Sequence, residues 1–231
     1  MPNTSDFDRA WLARFAHCLD EIGGETIRRD VMRDSEGLSA QTSRRDVIEW
    51  TRCAMSRLES SVDETRARAI MTGCACRYPT SGLQEIRETY ARNKDADLAH
   101  RMLQERFETF LRDTLQLDDR LIDEIVRLGW GLAGIKQGNT VIATKIPKSG
   151  SLAAYMQEQD PQTRRQMYCH CPRVRVALKT EDTLPVLYCY CGAGFYKGIW
   201  QEIVQEPVTV EVLDSVLVGG DVCRVAIHLP T

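Results

Sequence analysis

The sequence predicts an α+β protein in which a layer of helices is followed by an antiparallel sheet with packed helices. Three observations support this prediction. Apolar residues recur at intervals of three and four up to residue 129, four glycines punctuate the stretch from 129 to 138, and short β-branched segments follow. We therefore divide the chain into a helical region, residues 1–129, and an α+β region, residues 130–231, which carries most of the cysteines.

The first half contains a series of predicted helices. Residues 7–22 form the first, because Trp11, Phe15 and Leu19 fall on one face. A short helix over residues 25–32 and a polar loop follow. Ser43 and Asp63 are suited to cap the next two helices, since their side chains accept hydrogen bonds from free backbone N–H groups. The remaining helices are predicted over residues 83–92, over residues 96–115 and between Leu117 and Gly129.

The second half alternates between strands and a helix. A β-branched run over residues 140–147 predicts a strand that ends at a proline, and residues 186–189 predict another. A helix is predicted over residues 195–204. Two further strands, over residues 208–218 and 222–229, are predicted to form a hairpin through the turn Gly219-Gly-Asp.

Composition excludes several classes of function. The net charge of −3 and the pI of about 5.9 provide no general attraction to nucleic acid, so we expect no nucleic-acid partner. The acidic N-terminus does not resemble a signal peptide, and no apolar run approaches the roughly 18 residues of a membrane span. We expect a soluble cytoplasmic protein without membrane association. The sequence leaves the oligomeric state open, a homodimer included.

Nine cysteines are the feature that carries chemistry, and six of them form three C-x-C pairs. The pairs begin at Cys74, Cys169 and Cys189. Residues two apart share a face in extended backbone but point to opposite sides of a helix, so each pair is expected to lie in non-helical backbone. Clustered cysteines in a reducing compartment indicate metal binding or catalysis before disulfides. Cys18 and Cys53 lie on apolar helical stripes and are expected to pack in the core.

Zinc is the metal that such a cluster favours, because four thiolate or imidazole ligands complete its tetrahedral shell. Iron–sulfur ligation also uses four thiolates, but usually at wider spacings. Burial of unmetallated cysteines as small apolar side chains is the alternative. The two C-terminal pairs form the natural quartet, His170 can replace one of the cysteines, and three more cysteines are candidates. The candidate ligands are therefore Cys74, Cys76, Cys169, His170, Cys171, Cys189, Cys191 and Cys223.

Ligand-binding candidates surround these cysteines. Lys145, Arg173 and Arg175 would supply cations to a carboxylate or phosphate group, although solvated surface charges are the commoner role for such residues. Tyr196 and Trp200 would line an apolar pocket, with core packing as the alternative. If Cys191 caps the helix expected from residue 195, the helix dipole would lower its pKa.

Two segments of the last quarter resemble a known family. The sequence CGAGFY from residue 191 precedes a helix, and GDVCRVAI from residue 220 follows a turn; together they resemble 4-vinyl-reductase-like sensory domains. The resemblance implies a zinc site beside an apolar ligand pocket, with Cys191 and Cys223 as ligands. Ser215 stands where the family has a further cysteine, so Cys169, Cys171 or Cys189 would have to replace it.

The whole chain also looks like bacterial proteins related to L-2-amino-thiazoline-4-carboxylate hydrolase, which implies a ring-opening hydrolase that uses a zinc-bound water or a cysteine. Three hypotheses therefore remain. The first is a zinc-containing protein that binds a small molecule between helices and sheet, the second is this hydrolase, and the third is a protein that exchanges metal or thiol cargo. We favour the first.

Overall fold

The structure is a computed structural model that describes residues 4–148, 151–180 and 183–230, with side chains from residue 7 onward. It confirms the α+β fold. The helices of the first half are α1 (Thr4–Gly23), α2 (Glu25–Val31), α3 (Arg44–Ser61), α4 (Glu64–Gly73), α5 (Gln84–Asn93), α6 (Ala96–Thr109) and α7 (Asp119–Arg127). One turn of π-helix, Phe110–Thr114, extends α6. The expected caps form, since Ser43 and Asp63 each accept a backbone N–H of the helix that follows.

The described part of the second half contains four short or medium α-helices and four strands. The helices are α8 (Leu152–Gln157), α9 (Pro161–Tyr168), α10 (Pro172–Ala177) and α11 (Tyr190–Val204). The strands are β1 (Ile135–Gln137), β2 (Thr140–Thr144), β3 (Thr209–Asp214) and β4 (Arg224–His228). Their order in the sheet is β1-β2-β4-β3, and every neighbouring pair is antiparallel. Thus β4 lies inside the sheet. Its residue His228 pairs with Thr140 of β2 on one side and with Thr209 of β3 on the other.

Two predictions about the second half are wrong. The segment Val186–Cys189 is a turn of 3-10 helix rather than a strand, and α11 begins at Tyr190, five residues earlier than expected. The backbone around the third cysteine pair is therefore helical. A four-residue apolar run has no periodicity that separates a strand from a buried helical turn. The two glycines after Cys191 also resemble a break, although the helix runs through them.

The connection between the last two strands also differs from a tight hairpin. The antiparallel pairing of β3 with β4 agrees with the prediction, but β3 ends at Asp214 and a 3-10 turn, Val216–Val218, precedes the glycines. Ser215 caps this turn, because its Oγ accepts the backbone N–H of Leu217 at 3.1 Å. The chain therefore leaves the sheet early, and the buried Ser215 side chain lies beside the cysteines.

Helix α11 joins the two halves of the protein. It packs against α4 and α5 on one side and against β3 and β4 on the other, and the buried side chains of both halves form one continuous core. At Gly194 the backbones of α11 and α4 come so close that a Cβ atom would lie 2.1 Å from the carbonyl oxygen of Thr72. Among the described helices, none has the length and apolar character needed to cross a membrane.

Candidate functional site

A cavity of about 510 Å³ lies between the start of α11, the end of α6 and the sheet. Its size falls within the range of small-molecule sites. Aromatic and aliphatic side chains supply most of its wall, including Phe107, Phe110, Val174, Phe195 and Val225. Six cysteines from all three C-x-C pairs and from the β3–β4 connection also line it: Cys76, Cys169, Cys171, Cys189, Cys191 and Cys223. The fold thus brings together thiols that are up to 147 positions apart in the sequence.

Three of these thiols lie near one another, two of them against Ser215, and we call them the serine-side thiols: Cys169, Cys189 and Cys223. The Sγ of Cys189 lies 2.9 Å from the Oγ of Ser215, which also contacts the Cys223 thiol. Burial raises the pKa of Cys169 and the pKa of Cys189 to about 12 each, and it also raises the pKa of Cys223. The positive charge of Lys145 lowers each of these pKa values but does not outweigh burial, so all three are neutral thiols near pH 7.

We call a second group the tryptophan-side thiols: Cys76, Cys171 and Cys191, which line the cavity, and Cys74, which is buried next to Cys191 and does not line it. The pKa of Cys191 is lowered to about 7, chiefly by the adjacent thiol of Cys74 and further by the indole of Trp11. Burial raises the pKa of Cys74 well above its ordinary value, so Cys74 keeps its proton and Cys191 carries the charge. Cys191 lies in the first turn of α11 rather than at a cap, and with a pKa of about 7 its thiol is about half ionised at pH 7.

Lys145 brings positive charge to the cavity wall immediately after β2. Its backbone N–H donates to the carbonyl oxygen of Cys223 at 2.9 Å, which fixes the residue beside the serine-side thiols. Burial opposes the charge of the ammonium group, but the negative charge available on Cys169 and Cys223 outweighs burial and raises the pKa of Lys145. The side chain is therefore a half-buried, permanently charged ammonium group.

His170 lies on the rim between Cys169 and Cys171. Desolvation and the positive charge of Lys145 lower its pKa to about 4, so the ring is neutral at pH 7. Its Nε2 lies 3.0 Å from the carbonyl oxygen of Ile146. Because a carbonyl can only accept, Nε2 carries the proton and Nδ1 is the nitrogen left with a free lone pair.

Arg173 does not line the cavity but supports it from behind. The side chain is fully buried, with its guanidinium 4.2 Å from the ring centre of Trp11 and its Nη2 2.9 Å from Asp8 Oδ1. Its Nη1 donates to the Tyr188 hydroxyl at 3.2 Å, which leaves that hydroxyl free to donate to Cys171 Sγ at 3.4 Å. The guanidinium thereby orients the phenol toward the thiol.

The structure does not bring the other predicted ligand-binding residues together in one place. Tyr196 lines the cavity, and burial raises the pKa of its phenol. Trp200 is absent from the cavity wall; it is buried and stacked on His100 with ring centres 6.4 Å apart. Arg175 points into a separate cleft on the outer face of α10. Of the five ligand-binding candidates, Lys145 and Tyr196 therefore line the cavity, whereas Arg173, Arg175 and Trp200 lie outside its wall.

Sequence reasoning also missed contributors to the site. Asp8 and Trp11 were assigned only to the first helix, and the helical period gives no sign that its first turns face a cysteine cluster. Ser215 was noticed only as the position where a family cysteine is replaced.

The donors present suit a soft metal ion such as zinc in chemical type, since thiolates and a neutral imidazole are its usual ligands. Their positions do not yet form a site: within residues 4–148, 151–180 and 183–230, no three side chains of His, Cys, Asp or Glu stand where they could hold one metal ion. Comparison of the chain with family models, with curated proteins and with solved structures gave no match.

Proposed function

We propose that the protein binds a small organic acid with an apolar body in the cysteine-lined cavity. The observation that carries this proposal is a cavity of about 510 Å³ with a mainly apolar wall and the ammonium group of Lys145 in it. Ligand sites typically combine an apolar lining with a few polar groups that fix orientation. A carboxylate on Lys145 would offset the desolvation of the ammonium, while the rest of the ligand contacts Phe107, Phe110 and Phe195.

A matched pair of probes tests the proposal. Octanoate and octanol have the same chain, and only octanoate carries a charge at pH 7. We expect octanoate to bind, measured by calorimetry, and Lys145→Met to weaken its binding roughly 10- to 100-fold, the usual contribution of a charge-assisted hydrogen bond. Octanol binding should change little.

The control is Lys197→Met, a lysine on α11 that does not line the cavity. Circular dichroism establishes that each variant is folded. The proposal is wrong if Lys145→Met binds octanoate as tightly as the parent protein, or if neither probe binds at millimolar concentration.

Zinc binding at the serine-side thiols is the second part of the proposal, in keeping with the 4-vinyl-reductase-like resemblance. Its support is that Cys169, Cys189 and Cys223 all line the cavity and lie near one another, with Ser215 in contact with Cys189 and Cys223. These three residues would hold the ion after a rearrangement of their side chains, and they would have to ionise to do so. Zinc bound there would act as a Lewis acid toward an oxygen or sulfur atom of the ligand.

Metal analysis of anaerobically purified protein tests this part. We expect about one zinc per chain, lost in Cys169→Ser and in Cys223→Ser. Cys53→Ser is the control, because Cys53 lies on α3 and contacts Glu49 instead of the cavity. A parent protein that contains no zinc after growth with zinc, and does not take it up after addition, would contradict zinc binding.

Hydrolysis of a sulfur- and nitrogen-containing heterocyclic carboxylate is the alternative function. It is favoured by one observation, the thiolate of Cys191 in the same cavity as the Lys145 cation. A thiolate is a nucleophile, and a cation would hold the substrate carboxylate. Incubation with L-2-amino-thiazoline-4-carboxylate, followed by chromatography, should then show turnover that Cys191→Ser abolishes and Cys53→Ser retains.

A further inference from the structure

A second concave site lies on the outer face of α10, and it is separate from the cysteine-lined cavity. Cys171 and Val174 line the cavity, whereas Pro172, Arg175 and Val176 line this cleft, so the α10 segment lies between the two. The cleft has a volume of about 450 Å³. We call it the basic cleft, because four of its lining residues are cations: Arg44, Lys148, Arg175 and Lys179.

Among the described residues, few carboxylates balance the charge of the basic cleft. Arg44 lies 2.6 Å from Asp8, but the same carboxylate also neutralises the buried Arg173. In the described ranges, no carboxylate oxygen lies within 4 Å of a side-chain nitrogen of Lys148 or Arg175, and no acidic residue lines the cleft. This local excess contrasts with a chain whose net charge is −3.

Three of these cations are partly buried, which makes the lack of a balancing negative charge unfavourable. Arg44, Lys148 and Arg175 are each half-buried, so part of their hydration is lost on folding. A partly buried cation without an opposite charge is unfavourable, and an anionic ligand removes that penalty. The backbone also holds these residues in place: Lys148 N–H donates to the Tyr168 carbonyl oxygen, and Arg175 N–H donates to the Cys171 carbonyl oxygen.

The rest of the lining indicates the kind of anion. Ser151 and Gln166 add neutral hydrogen-bonding groups on one side, while Met167, Pro172 and Val176 add an apolar surface. Several cations around one concave site suit a group that carries more than one negative charge, as phosphate oxygens do. The apolar surface would contact an organic group attached to the phosphate.

We propose that the basic cleft binds a small phosphorylated molecule, with Lys148 and Arg175 as its main phosphate contacts. A nucleic-acid strand is the less favoured occupant, because the cations surround a concave site instead of following an extended groove, and the protein is acidic as a whole.

Calorimetric titration with inorganic pyrophosphate tests the proposal on the full-length chain. We expect binding at 50 mM salt, weakened roughly tenfold or more by Lys148→Gln and by Arg175→Gln, each of which removes a charge-assisted contact. The matched control is Arg120→Gln, which removes the same charge from an exposed position on α7 and should change the affinity less than twofold. Lys145→Met should leave pyrophosphate binding intact, so this site and the cavity are tested separately.

Three results would overturn the proposal. The first is no binding to 10 mM pyrophosphate. The second is equal weakening by Arg120→Gln, which would mean that only the overall charge matters. The third is tighter binding of a single-stranded 20-mer whose affinity falls steeply with salt, which would make nucleic acid the occupant. If Arg175→Gln fails to fold, Lys148→Gln decides alone, because Lys148 precedes α8 and follows β2 without belonging to either.

Discussion

Replacement of Asp8 by asparagine gives the sharpest test of how the cavity is supported. Asp8 is the only carboxylate among the described residues that lies within 4 Å of the Arg173 side chain. The Nη2 of Arg173 is 2.9 Å from Asp8 Oδ1 but is not aligned with it as a hydrogen-bond donor, so the contact is an ion pair. Asp8→Asn keeps the shape of the side chain and removes the charge.

The expected magnitude follows from burial. Arg173 is 0% exposed, and after the substitution it retains only the Tyr188 hydroxyl and the face of Trp11. Removing one partner of a buried ion pair costs roughly 3–5 kcal/mol. Because the Asp8 side chain keeps 16% of its exposure, we expect the lower end, about 3 kcal/mol. For a chain of this length that is a fall in Tm of roughly 6–12 °C.

Differential scanning calorimetry and urea unfolding followed by circular dichroism measure the effect. The control is Arg44→Gln, which removes the more exposed partner of Asp8 and should cost less than about 1 kcal/mol. The double variant Asp8→Asn, Arg173→Met removes both charges and should recover much of the lost stability. A folded Asp8→Asn protein whose Tm falls by less than 2 °C, or a double variant less stable than Asp8→Asn alone, would refute the reasoning.

Three further predictions concern the core and the thiols. Gly194→Ala places a Cβ atom 2.1 Å from a backbone oxygen and should lower the free energy of unfolding by at least about 2 kcal/mol. Gly198→Ala in the same helix meets open space and should raise it by roughly 0.5–1 kcal/mol. Urea unfolding compares the two variants, and equal effects would contradict the close packing at Gly194. Cys169 and Cys189 have folded pKa values of about 12, above their ordinary value of 9.0, so their contribution to stability is complete below pH 9 and is lost as pH rises toward 12. The urea midpoint should therefore fall over that window, and Cys169→Ala should make the fall shallower; a midpoint that rises instead would contradict the burial of these thiols. Alkylation of Cys191 by iodoacetamide, followed by mass spectrometry, should reach half its maximal rate near pH 7, and a half-maximum above pH 8.5 would rule out the thiolate.

The sequence predicted the helical half well, because its signals are local. The spacing of Trp11, Phe15 and Leu19 marks one buried face, and Ser43 and Asp63 cap the helices that they precede. Such patterns depend on the chain's own period and on its free backbone groups, and tertiary contacts rarely overturn them.

The short helices of the second half were missed although signals for two of them exist. Pro161 and Pro172 each occupy the first position of a helix, where proline is favoured because its missing N–H has no helical partner. A proline also interrupts helices, so Pro172, which directly follows the second cysteine pair, fits a loop as well as the start of a helix. For the six to eight residues of each segment, periodicity provides too few turns to outweigh that interpretation.

The sequence singled out the six cysteines that line the cavity, but it did not indicate how they are arranged. The repeated C-x-C spacing drew attention to cysteines that do line one cavity, but the division into serine-side and tryptophan-side thiols depends on where α1, α4 and α11 meet. The charge on Cys191 likewise depends on Trp11 of α1 and on Cys74, which directly follows α4. Contacts of this kind leave no trace in local spacing.

The central place of β4 in the sheet delays the formation of the sheet during folding. Thr140 at the start of β2 pairs with His228, 88 positions later. Closing so long a loop is entropically unfavourable and slows folding. During synthesis, β2 therefore lacks its partner strand β4 until the intervening chain has been made. During that interval the cysteines between the two strands lack the sheet that later covers them. We therefore expect newly made chains to be most vulnerable to thiol oxidation before β4 has docked.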